Sequence, residues 1–125
     1  MSPTAARTHR TVADIQVAAI AATAARSVPG VARLQPGLRG LVQQLGREIW
    51  ERLTGTPYPD VAGVDATTRG DETAIIDITL VTDGRRPAAA TAADVQHTVT
   101  SALAAHQTIP IGTVAVHVCE ISLPP

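Results

Sequence analysis

The 125-residue chain predicts an α+β fold, a two-layer sandwich with helices packed on one face of a small mixed or antiparallel sheet. Three observations carry that expectation. Residues 11–28 and 91–107 are alanine-rich, with apolar positions at helical spacing. Residues 74–81 and 113–121 instead alternate in character with the period of two that a half-buried strand requires. The length suits one domain with a single core, and 45% apolar against 17% charged residues excludes a disordered chain.

Residues 1–10 hold Pro3, two threonines and two arginines without useful periodicity, and read as a flexible N-terminal arm before a single domain over 11–123. Thr11 and Asp14 have the spacing of an N-cap and its third helical residue, and the carboxylate suits the positive end of the helix dipole. The helix then runs to about Val28. Val12, Ile15, Ala19 and Ala22 form one stripe, and Val17, Ile20, Ala24 and Val28 widen it beyond a coiled-coil seam. Pro29-Gly30 ends the segment, and Val31 to Gln35 can form a short strand.

A helical insertion is expected near 38–53, where Leu38, Leu41, Val42, Leu45, Ile49 and Leu53 make a stripe with Trp50 beside it. The opposite side is charged through Arg47, Glu48, Glu51 and Arg52, and Gly40 and Gly46 weaken the helix. Two readings stay open: the stripe covers part of the core, or it faces a partner or a membrane surface with Trp50 as anchor, the membrane version being weakened by the lack of a basic face. The linker TGTPYPD, residues 54–60, reads as an irregular turn.

From Val61, two strands are expected around Thr68-Arg69-Gly70-Asp71. In the second, Ala74, Ile76, Ile78 and Leu80 share one face, and Ile75, Asp77, Thr79 and Val81 the other. Asp83-Gly84 offers a tight turn. Thr91 and Asp94 repeat the capping spacing at the head of a helix with Val95, Val99, Ala102 and Leu103. The last strand sets Val114, Val116 and Val118 against Ala115, His117, Cys119 and Ile121.

Reaction chemistry is sought and not found in the sequence. No zinc, calcium-loop or phosphate-loop pattern occurs, and His97 and His106, nine residues apart, lie on opposite sides of an ideal helix. His117 reads as solvent-facing, and Cys119, the single cysteine, as a buried or half-buried free thiol. No catalytic residue, metal ligand or cofactor is therefore expected. The formal charge is −1, all ten basic residues are arginine, and aromatic residues total one tryptophan and one tyrosine, so nucleic-acid binding has no strong signal. Arg85-Arg86 reads as a small solvated turn. No apolar run is long enough to span a bilayer.

Three runs together resemble the alkaline shock protein family of general-stress and cell-envelope stress-response proteins. They are VAAIAATAARSVPGVARL at 17–34, TAIIDITLVTDG at 73–84 and DVQHTVTSALAAHQTIPIGTVAVHVCEI at 94–121. Asp83-Gly84 replaces the family's Tyr-Gly turn, and Ala115 stands where it has asparagine, which marks a divergent member. The resemblance implies a non-enzymatic bacterial protein of the cytoplasmic side of the envelope, acting through self-association and a small membrane-anchoring partner. The alternative is a small nucleic-acid-binding α+β domain. Trp50, Leu45, Ile49, Leu53, Arg85 and Arg86 are the expected interface residues, and the location is cytoplasmic, peripheral to the membrane through a partner.

Overall fold

The computed structural model describes residues 3–36, 40–68, 73–106 and 110–123. Along the chain it forms α1 (Pro3–Arg26), β1 (Val31–Leu34), α2 (Gly40–Thr54), β2 (Val64–Thr68), β3 (Ala74–Thr82), α3 (Ala88–His106) and β4 (Ile111–Ile121). This is the α+β sandwich expected, with three helices and a four-stranded mixed sheet. The turn expected around 69–71 and the links at 37–39 and 107–109 lie outside the described residues.

Both long helices begin earlier than their expected caps. α1 starts at Pro3, so residues 3–10, read as a flexible arm, are its first turns and Thr11 is interior. Proline is at home in a first helical turn, where its missing N–H has no partner to lose, and Ala5, Ala6 and Arg7 are strong helix formers. α3 starts at Ala88, straight after Pro87, whose carbonyl accepts from the N–H groups of Ala90 (3.0 Å) and Thr91 (3.2 Å). Thr91 is therefore no cap. It is buried within the helix, and its hydroxyl has no hydrogen-bond partner.

The sheet is organised around β3. One of its edges pairs in parallel with β4 over Ala74–Thr82. Its other edge is shared end to end by two antiparallel strands, β2 along Ala74–Ile78 and β1 along Leu80–Thr82. Thr79 is the junction: its carbonyl accepts from Gln35 N–H and its own N–H donates to Gly63, both at 2.9 Å. The crowding there selects glycine at position 63. Gly63 has φ +84°, and a Cβ would fall 2.8 Å from Leu34 Cβ and 2.9 Å from Gln35 N.

α1 and α3 cover one face of this sheet. Ala18, Ala21, Ala22 and Ala25 are almost wholly buried, and their small side chains bring the α1 backbone close. Val95, Val99 and Leu103 descend from α3 onto the same core, which Ile76, Ile78 and Leu80 fill from β3. Each of these large side chains stabilises the fold by roughly 1.5–3 kcal/mol relative to exposure.

The other face is open, and carries Asp65, Asp77, Thr79 and His117. Val81 lies on this face yet is fully buried, because Arg33 and Glu120, its register partners on either side, pair over it at 3.4 Å. β4 bulges between Val118 and Glu120. That irregularity on an outer strand leaves Cys119 a free thiol, as expected, but exposed as a residue rather than buried or half-buried, with Sγ donating to the Leu80 carbonyl at 3.4 Å in a part-buried contact.

Candidate interaction groove

α2 does not lie on the sheet; its packing partner is α1. At the point of contact, Gly46 is buried, and a Cβ there would sit 3.4 Å from Ile15 Cδ1. Of the stripe on this helix, the described side chains are Ile49, half-buried like Trp50 beside it, and Leu53, exposed like Arg47, Glu48, Glu51, Arg52 and Thr54; Leu38, Leu41, Val42 and Leu45 lie outside them. The lower half of α2 is instead held by the linker behind it.

That linker folds back through specific contacts. Trp50 Nε1 donates to the Pro57 carbonyl at 3.1 Å, which fixes the indole's orientation. The Arg47 guanidinium lies 5.0 Å from the centre of the Tyr58 ring. Burial raises the Tyr58 phenol above its ordinary value of 10.0, and the Arg47 charge opposes that rise. Thr54 Oγ1 donates to the Trp50 carbonyl at 2.7 Å, closing the helix end. Arg26 then ties the linker to α1, with Nη2 at 3.0 Å from the Asp60 carbonyl and 3.3 Å from its carboxylate.

Bracing α2 in this way opens a groove between the helices. Two adjoining hollows of about 400 and 440 Å³ share Ala19, Ile20 and His106. Thr23, Ala24 and Ala102 complete one; Gln16, Trp50 and Pro59 complete the other. Its described walls carry no carboxylate and no arginine, so it suits an apolar partner surface rather than a phosphate or an acidic peptide.

The expected interface residues are divided by the fold. Trp50 lines the groove. Ile49 is half-buried, and Leu53 is 52% exposed one turn further along α2. Leu45 shares their stripe, but its side chain lies outside the described residues. Arg85 and Arg86 sit elsewhere, before the first turn of α3, whereas His106 ends that 19-residue helix roughly 28 Å away. Arg86 Nη1 donates to Asp94, and Arg85 N–H to Asp83 Oδ1 at 2.9 Å in a side-chain-closed turn.

Sequence reasoning placed Ala19 and Ile20 in the apolar stripes of α1 and missed that, while packing against the core, they also line the groove. A signal was present, since the apolar surface of α1 is wider than one seam needs. It serves two faces, one on the sheet and one on the groove.

On the open face of the sheet, His117 Nε2 lies 3.3 Å from Asp77 Oδ1, and both side chains are about half exposed. Among the described residues no group of three or more histidine, cysteine or acidic side chains is placed to hold a metal ion, and no helix is long and apolar enough to cross a membrane.

Comparison with known families matches residues 3–123 to the alkaline shock protein 23 family, described by a cell envelope-related function. No curated protein and no solved structure matches the chain.

Proposed function

The chain belongs to the alkaline shock protein 23 family, a non-enzymatic, cell envelope-related stress-response family, and from that premise we propose that it works as a docking protein. It associates with itself at the cytoplasmic side of the membrane and is held there by a small membrane-anchoring partner. The partner presents an apolar helical segment to the α1–α2–α3 groove. The observation that carries this reading is the groove itself: Ile20, Trp50 and Pro59 stand half-exposed around a hollow whose described walls carry no carboxylate and no arginine, with the indole pinned in place from behind. Half-buried aromatic side chains of this kind are the usual anchors of protein interfaces.

A photo-crosslinking residue at position 53, beside the groove, tests it in membrane-containing lysate. The expected product is a conjugate with a small hydrophobic membrane protein, lost in a folded Trp50→Ala variant. Recovery of RNA in place of protein, or a conjugate indifferent to Trp50→Ala, overturns the docking role.

A further inference from the structure

β4 is an outer strand whose second edge no described strand covers. The geometry points to that edge as the seam of a symmetric dimer, in which β4 pairs antiparallel with β4 of a second copy and the two sheets join. This inference rests on the self-association proposed above and names its surface.

The direction of the free backbone groups sets the register. The Val114 carbonyl accepts from Gln96 Nε2 of α3 at 2.8 Å, so it faces away from β3. In a strand, successive residues direct their N–H and C=O groups to opposite edges, so Val114, Val116 and Val118 all present theirs outward. A two-fold axis through Val116 sets that residue opposite itself, and sets Val114 opposite Val118 of the other copy. Each valine then meets a valine and exchanges both ladder hydrogen bonds with it. The Val114 carbonyl keeps its second lone pair for this while Gln96 holds the first. Shifting the axis by one residue pairs a valine with Gly112 or with Glu120 instead.

Both faces of the seam agree with this register. On the core side, Val116 and Val118 are only partly buried within one copy, and a second valine row extends the apolar layer over them. On the open side, Ala115 meets His117 of the second copy. Asp65 and Asp77 are register partners, and Ala115 follows Asp77 in the same row. A second copy therefore extends this row by one imidazole beyond Ala115, while each copy's own His117 stays beside its Asp77 at 3.3 Å. Above the seam, α3 turns Ala93, Gln96, Thr100 and Ala104 toward the edge, all exposed and uncharged, leaving room for the other α3.

Unpaired edges are ordinarily guarded by proline, lysine or an inward charge. From Thr113 to Cys119, β4 has none of these. The guard begins only where the seam ends, at the bulge before Glu120. Isologous contacts of this kind close after two copies and do not run on into fibres.

Two sets of variants test the seam in the full chain. Ala115→Lys/His117→Lys places lysines opposite one another across it while leaving them beside Asp77 within each copy. We expect the mass in solution to fall from dimer to monomer, with the circular dichroism spectrum unchanged. Separately, the Ala115→Cys/Cys119→Ser and His117→Cys/Cys119→Ser variants are mixed and oxidised. A disulfide-linked dimer is expected in the mixture and not from either variant alone, because positions 115 and 117 oppose each other only between copies. A dimer indifferent to the lysines, or cross-linking of each variant with itself, overturns the seam and leaves self-association standing. A native chain monomeric at every concentration overturns both.

Discussion

The α1–α3–β3 core and the α2 unit draw on similar apolar residues and bury them differently. In the core, valine, isoleucine and leucine at β3, β4 and α3 interlock beneath an alanine-lined helix, and Ile76, Ile78, Leu80, Leu103, Val95 and Val99 lose all exposure. In the α2 unit, Trp50 and Ile49 keep part of theirs and Leu53 more than half, while single hydrogen bonds and one ring contact hold the linker beneath. Small side chains let a helix close onto a sheet; large ones on a helix that packs chiefly on another helix and a linker remain partly open. The first arrangement provides stability, and the second provides a surface.

Breaking the core has the largest expected effect. Ile78→Ala should cost about 2–5 kcal/mol in urea unfolding, as a cavity opens in the centre of β3. Gly63→Ala should cost about 1–3 kcal/mol, because alanine needs a disfavoured backbone geometry where β1 and β2 meet. Thr82→Val should stabilise by about 1 kcal/mol, since the Thr82 hydroxyl is fully buried without a partner, and a lower urea midpoint would show that the hydroxyl is satisfied after all.

Trp50→Ala sharpens the contrast from the other side. Losing one exposed hydrogen bond and a half-buried ring should cost about 1 kcal/mol or less. A loss as large as that of Ile78→Ala would make α2 part of the core. The smallest effect concerns pH. The folded chain favours the protonated Tyr58 phenol, so this contribution is complete below about pH 10 and is lost as pH rises through the raised folded value. Tyr58→Phe should flatten the fall in thermal midpoint above about pH 10 relative to the native chain.

The elements were largely legible, because periodicity reports which residues must face an apolar surface. β3 shows this plainly: its alternation named the buried face of Ala74, Ile76, Ile78 and Leu80, all of which are buried. Helix starts were less so. Capping spacing at Thr11 and Thr91 is a local pattern, and Pro3 and Pro87 start the helices without it. The groove was half legible. Trp50 stood out as a lone aromatic beside an amphipathic stripe, whereas Ile20 and Ala19 were indistinguishable from core positions until the placement of α2 divided the apolar surface of α1.

By itself the sequence determined the class of fold, the faces of its strands and helices, and the family, since each depends on residue type and spacing along the chain. Tertiary structure alone decided that β1 and β2 share one edge of β3, that β4 runs parallel on the other, and that α2 rides on α1. Those choices depend on which surfaces meet, and the pairing of surfaces distant in sequence is a property of the whole packed chain, not of any local period.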